Sequence, residues 1–401
     1  MKEMWRSAAA LGMRPERLEL LDRTIGGWIG GGEFPAALVR VMRHGEVVFN
    51  EKYGVSFTEP EPTPISWEAI FPLSSISKAV TATAALALQE DGGIDLCRPI
   101  QELIPEFEGE DKEGACLWHC LTHTTGIDEE KSGAFFWEYC EKEFSLARPR
   151  EFATKEEYEE FDKRLNEKLG ITEDSDLNAR MTIALKAPLT YKPHTQMSYC
   201  GTGFELISLA IKRTTGLTLD EYARKRLFEP LGMADTHWVL PRDKWGRVVR
   251  RNETCRYGEW LHSDHCMTNT SAAGGLKSTI GDMARYAQMI LNGGKLDGVR
   301  VLSSATVREF ATDHNQGLMS IYGKEVFKNS FWGLGICLRG DKMESSMLRS
   351  KSSMDHGGAG GAYILIDPEY DMCYCWFAVD PARADYPFVG RFTNMVMSAI
   401  E

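Results

Sequence analysis

The β-rich stretches of this chain lie at its two ends, with mainly helical patterning between them. Ala36–Arg43 and Glu46–Tyr53 flank His44-Gly45, the pattern of a hairpin. Further strand patterns appear only after about residue 328, in Phe331–Leu338, Ala362–Ile366 and Met372–Val379. Asp367–Asp371, between the last two, reads as a hairpin turn. Leu18, Leu21, Ile25 and Trp28 mark a helix over 14–29. A long helical pattern starts near Ser75 and stops at Asp91-Gly92-Gly93. The chain reads as mainly helical from about 95 to 270, with two helices in 201–232 split at Thr215-Gly216. Met283, Tyr286, Ala287, Ile290 and Leu291 place a helix over 279–291, capped by Thr279 with Asp282. A last helix is expected over 386–400. Strands from both ends belong in one sheet, so the expectation is an α/β fold of the α+β kind. Residues 1–72 and 270–401 supply an antiparallel sheet with flanking helices, and 73–269 form an inserted, mainly helical region.

The 401 residues are 43% apolar and 26% charged, which excludes disorder, collagen and coiled coil. The net charge of −12 argues against a broad footprint for nucleic acid or anionic lipid. That charge is local. Residues 128–180 hold sixteen acidic and nine basic side chains, a balance of −7, and read as a solvated helical insertion. The most apolar helical stretch, Ala79–Leu88, is half the roughly 20 residues a membrane span needs. The N-terminus has no signal-like apolar run, so the expectation is a cytoplasmic protein whose ten cysteines stay reduced.

Three short elements carry chemistry. Ser75-Ile-Ser-Lys78 at a helix start puts Lys78 one turn above Ser75 on the same face. A serine hydroxyl becomes nucleophilic when a base takes its proton, and a desolvated lysine is one such base. The bland alternative is a surface cap beside an exposed lysine. Tyr199-Cys200-Gly201 precedes the helix near 203–213. A tyrosine beside a lysine can relay a proton as phenolate; alone, it reads as a half-buried residue at a helix start. His356-Gly357-Gly358-Ala359-Gly360-Gly361 enters a strand. Its glycines let substrate lie along the strand edge, and the amides of Ala359 and Ser75 together suit an oxyanion. His356 adds a polar or cationic group. The bland alternative here is a flexible turn.

Other features favour ordinary roles. His262 and His265 with Cys266 lack partners at metal-ligand spacing, so no metal site is expected. Cys373 and Cys375 alternate along a strand and read as core. Cys200 ranks well below Ser75 as a nucleophile, although an alkylation-sensitive thiol is conceivable there. Trp332 reads as core or as pocket edge.

Taken in order, the three elements resemble those of the serine β-lactamase and penicillin-binding-protein family, nearest its class C, D-aminopeptidase and family VIII esterase branch. Ser75-Ile-Ser-Lys78 matches the S-x-x-K. Tyr199-Cys-Gly is similar to Tyr-x-Asn, and His356-Gly-Gly to K-T-G in a His-x-Gly form. Cys120–Ile127, Tyr199–Met233, Ala272–Thr279 and His356–Asp371 extend the likeness over roughly 14–400, outside the 128–180 insertion.

The resemblance implies the β-lactamase/transpeptidase fold, with the site in a cleft between the two regions. It implies a serine hydrolase working through an acyl-enzyme on a small ester or amide. In it Ser75 attacks, Lys78 and Tyr199 handle protons, and His356 assists binding or proton transfer. Gly201, Gly357, Gly358 and Ala359 contact substrate or oxyanion. His123 becomes a structural hydrogen-bonding residue. No metal or organic cofactor is implied, and no nucleic-acid or membrane partner. Gly201 replaces the family asparagine that contacts the acylamide side chain. This disfavours a second reading, a class C-like β-lactamase or DD-carboxypeptidase, as does His356 in place of lysine. A third reading is a catalytically silent scaffold, against which stand Ser75, Lys78 and Tyr199. The acidic insertion is expected to act as a lid or rim that disfavours anionic substrates.

Overall fold

The structure is a computed structural model describing residues 2–56, 63–149, 155–172, 175–249, 263–322, 325–379 and 387–401. The chain divides into two units. The first comprises Met1–Gly92, Leu217–His314 and Phe331–Glu401; the second comprises Gly93–Gly216 and Asn315–Ser330.

A seven-stranded antiparallel sheet organises the first unit. Its strands in chain order are β1 (Ala36–Arg43), β2 (Glu46–Ser56), β3 (Thr63–Pro64), β4 (Cys337–Leu338), β5 (Met354–Gly358), β6 (Ala362–Asp367) and β7 (Met372–Val379). In space the order is β4-β5-β6-β7-β1-β2-β3, so the C-terminal strand pairs with the N-terminal one, Ala36 opposite Val379. The β1–β2 hairpin turns through His44 and Gly45, both at positive φ, as a two-residue turn between right-twisted strands demands.

Strands β6 and β7 are buried along their whole length because helices cover both faces. One face packs Tyr363, Leu365, Tyr374 and Trp376 against the Pro15–Gly30 and Pro387–Met397 helices. The expected face of Leu18, Leu21, Ile25 and Trp28 is buried there. The other face carries Cys373 and Cys375, both buried as expected, with the Cys373 thiol 3.6 Å from Gln288 Oε1 on the Ile280–Leu291 helix. Thr279 caps that helix, accepting the Asp282 N–H at 3.2 Å.

One strand expectation fails. Of Phe331–Leu338, only Cys337–Leu338 joins the sheet. Gly333 donates to Ile336 O at 2.9 Å, Leu334 donates to Phe310 O at 3.1 Å, and Phe331 sits at φ 46°. These bonds fold the segment back on itself, and Trp332 bridges Cys337.

The units also differ from the boundaries read at 72/73 and 269/270. The Ser77–Glu90 helix groups with the sheet because Thr81 and Tyr286 tie it to the later chain. Thr81 Oγ1 donates to Ala272 O at 2.8 Å and Tyr286 Oη to Ala79 O at 3.0 Å.

The second unit is mainly helical. Its acidic segment forms the Glu129–Phe144, Lys155–Leu169 and Ala179–Ala184 helices. These enclose a small core of Phe136, Cys140, Leu146, Phe161, Leu165, Ala179 and Ile183, so the segment is packed and not merely solvated. Arg180 lies over the Phe136, Trp137 and Phe161 rings and donates to Asp162 at 3.0 Å. Among the described residues no helix is long and apolar enough to cross a membrane. The nine described cysteines are free thiols; Cys255 lies outside the described residues.

Trp376 is 2% exposed and meets Trp28, Phe34 and Phe392 at ring-centroid distances of 6.2, 5.7 and 4.8 Å. Trp376→Ala should therefore lower unfolding free energy by about 3–5 kcal/mol, read by urea denaturation. A loss under about 1 kcal/mol would contradict this account of the core.

Candidate functional site

Ser75 sits in a tight turn, Ser74–Ile76, that runs directly into the Ser77–Glu90 helix. Ser75 is half-buried and Lys78 is 3% exposed. The i, i+3 spacing aligns them as expected, with Lys78 Nζ donating to Ser75 Oγ at 3.2 Å and to Ala273 O at 2.9 Å. The second bond ties the amine to the later chain at Ala273.

The turn is held by hydrogen bonds that the motif does not announce. Ser74 adopts φ 47°, a left-handed conformation that costs a non-glycine residue about 1 kcal/mol or more. Its Oγ donates to Ala359 O at 2.9 Å, and its carbonyl accepts from Ser77 Oγ at 2.6 Å. Leu73 N–H donates to Leu276 O at 2.8 Å, and Leu276 N–H donates to Ser77 Oγ at 3.0 Å.

The same network brings the glycine-rich element to the serine. A Cβ on Gly358 would stand 2.1 Å from Leu73 O, so only glycine permits this approach. With Gly358 against Leu73 and Ala359 bonded to Ser74, the end of β5 lies beside the residues that precede Ser75. Next in the strand, Asp355 accepts from the buried Arg349 guanidinium, whose Nε donates to Glu344 at 2.6 Å.

His356 is buried on β5. Its Nδ1–H donates to Gly357 O at 2.9 Å, which leaves Nε2 as an acceptor. Nε2 has no hydrogen-bond partner among the described residues. The ring meets Trp332 edge-on at 5.8 Å. Burial first, and the nearby Lys78 charge second, push the imidazole down to about 4. His356 is therefore neutral at pH 7. It supplies a polar group, and the cationic alternative drawn from the sequence does not hold.

Tyr199 and Gly201 belong to the second unit. There Tyr199 N–H donates to Ile321 O at 3.1 Å, following the Met197–Ser198 strand. His123 organises this stretch, as the resemblance implied. Its carbonyl accepts from Ser198 N–H at 2.9 Å, its Nδ1 accepts from Cys200 N–H at 3.1 Å, and its ring lies 4.5 Å from the Tyr199 ring. Cys200 is 2% exposed, and burial pushes its thiol up to about 12. An unreactive thiol replaces the alkylation-sensitive one considered from the sequence.

Gly201 is the N-cap of the Thr202–Thr215 helix and has no side chain with which to cap it. Glu129, 72 positions earlier, accepts the Gly201 N–H and, at 3.3 Å, the Thr202 N–H. Sequence reading missed Glu129, Ser74 and the Ala273 carbonyl, because no local pattern joins partners this far apart.

No group of three metal-binding side chains occurs among the described residues; His262 lies outside them.

His356 should titrate near 4 in a pH series of imidazole NMR spectra. Its unfolded value is about 6.5, so the unfolded chain takes up the proton first as pH falls. The contribution is complete above about 6.5 and is lost as pH drops towards 4. His356→Gln should shrink the fall in urea-unfolding stability across that window; an unchanged fall would refute the assignment.

The sequence profile of the family described as Beta-lactamase matches residues 21–385. Protein Rv1367c of Mycobacterium tuberculosis is 24% identical over 336 residues, 77% of each chain. Esterase EstB of Burkholderia gladioli is 25% identical over 215 residues, 51% of this chain and 47% of its own. A penicillin-binding protein homologue from Caulobacter crescentus superposes with a TM-score of 0.72 at 17% identity, covering 97% of this chain and 99% of that one. The long profile match and the shared fold agree with the motifs read from the sequence, and the chain belongs to the beta-lactamase family of serine hydrolases.

Proposed function

We propose that this protein is a serine hydrolase that cleaves small esters or amides lacking a carboxylate, through an acyl-enzyme on Ser75. The observation that carries the reading is the buried Lys78 amine 3.2 Å from Ser75 Oγ. In the proposed reaction Lys78 acts in its neutral amine form, taking the Ser75 proton as Oγ bonds the substrate carbonyl carbon. The carbonyl electrons move to oxygen, and the N–H groups of Ser75 and Ala359 stabilise the resulting oxyanion. The hydrogen bond that fixes Ala359 to Ser74 supports this pairing. As the intermediate collapses, the bond to the leaving group breaks, and Tyr199 passes the proton to the departing oxygen or nitrogen. Water then repeats the sequence in reverse order. It releases the acid and returns the proton to Ser75.

The substrate side of the proposal rests on two residues. Neutral His356 provides no cation for a carboxylate, and Gly201 has no amide for an acylamide side chain. Both weigh against β-lactams and peptides ending in a free carboxylate. The esterase named among the relatives is consistent with this preference.

A fluorophosphonate probe should add one equivalent to the wild type in an intact-mass measurement and none to Ser75→Ala; equal labelling of both would overturn the nucleophile. Tyr199→Phe should lose about a hundredfold in kcat, and a near-normal rate would remove its proton role. Among p-nitrophenyl esters, D-amino-acid amides and a chromogenic cephalosporin, the esters or amides should turn over fastest. Faster cephalosporin turnover would reverse the preference.

A further inference from the structure

We propose that Lys277 is a positioning residue for the reaction: its buried amine clamps the root of the 269–277 loop, and the loop in turn holds the Ala273 carbonyl that directs Lys78 to Ser75. The inference rests on the serine hydrolase reading above and adds a residue to it. Every group it invokes lies in the first unit.

Lys277 is 1% exposed. Its backbone is fixed on both sides, opposite Pro72 in a short strand pair and bonded through both N–H and C=O to His237. Its Nζ donates to Trp238 O at 2.5 Å and to Asn269 O at 3.2 Å. Burial lowers the amine to about 8, against the opposing pull of Cys266 on the Asp264–Thr268 helix and Asp220 on the Leu219–Ala223 helix. It therefore remains mainly protonated at pH 7. Enclosing a cation among carbonyl oxygens is costly, and an apolar side chain of the same length would fill the space. The position of the two carbonyls gives the lysine a use.

Asn269 opens the loop and Lys277 closes it, so the amine ties one end to the other. Inside the loop, Ser271 N–H donates to Asn269 Oδ1 at 2.9 Å. Ser271 O accepts the Trp238 indole N–H at 3.0 Å and the Gly275 N–H at 2.7 Å. The turn is so tight that a Cβ on Gly275 would stand 2.5 Å from Asn269 O. Between these ties the chain presents two consecutive carbonyls to the Ser77–Glu90 helix. Ala272 O accepts from Thr81 Oγ1 at 2.8 Å, and Ala273 O accepts from Lys78 Nζ at 2.9 Å. A neutral amine has two N–H bonds and one lone pair. The bond to Ala273 uses one N–H and so sets the direction of the lone pair that takes the Ser75 proton. Loosening the clamp lets the carbonyl shift, and the amine turns with it.

The test titrates Ser75 with a fluorophosphonate, then expresses kcat for a p-nitrophenyl ester per titrated site. Lys277→Met keeps the bulk of the stem and removes the donors. Per site it should lose about tenfold in kcat, a modest misplacement of a catalytic group, while KM stays within about twofold. The rate constant for fluorophosphonate labelling should fall in parallel, because both reactions need the Ser75 proton removed. An unchanged kcat per titrated site, in a variant that merely unfolds at lower urea, would mark a structural lysine and overturn the proposal. Trp238→Phe covers the case of a Lys277→Met chain that does not fold. It deletes the N–H donated to Ser271 O and keeps an aromatic ring against Phe228, whose centroid lies 5.9 Å from that of Trp238. It should lower kcat per site by about threefold, the worth of one neutral hydrogen bond, and an unchanged kcat would refute the loop as the link. Failure of the hydrolase reading is distinct, since wild type would then take no label on Ser75.

Discussion

The site depends on a strained turn held shut by side-chain hydrogen bonds. Ser74 takes a left-handed conformation one residue before Ser75. Ser77 restrains its carbonyl and Ala359 its hydroxyl. Without those bonds nothing local would favour that geometry, and the serine would not be presented at the head of its helix. The same bonds recruit the end of β5, and Gly358 completes the approach because a larger residue would strike Leu73. The sheet underneath makes this possible: β7 pairs with β1, so both ends of the chain build one platform for β5 and its neighbours.

Electrostatics follow from the same packing. Burial makes His356 a neutral acceptor, while Lys78, equally enclosed, is directed by the Ala273 carbonyl to the serine oxygen. On the other unit, burial pushes the Cys200 thiol up to about 12, away from the range in which a thiolate forms at neutral pH. Glu129 adds a negative charge beside Gly201.

Much of the fold was legible because its signals are periodic. Leu18, Leu21, Ile25 and Trp28 announced their helix, the His44-Gly45 turn its hairpin, and Thr279 the start of a helix. Ser75 and Lys78 were legible because a spacing of three fixes two side chains on one helix face. Phe331–Leu338 misled because its apolar residues suit a strand, while bonds to the distant Phe310 fold it into a turn. The state of His356 depends on enclosure, and the place of Glu129 depends on packing between helices 72 positions apart. Neither leaves a local trace in the chain.

The central claim is that Ser75 carries the acyl group. Rapid quenching of wild type during turnover of a p-nitrophenyl ester, followed by peptide mass mapping, tests it directly. The account predicts an acyl adduct confined to the Ser75 peptide. Turnover with the adduct on Cys200, or with none on Ser75, would contradict it.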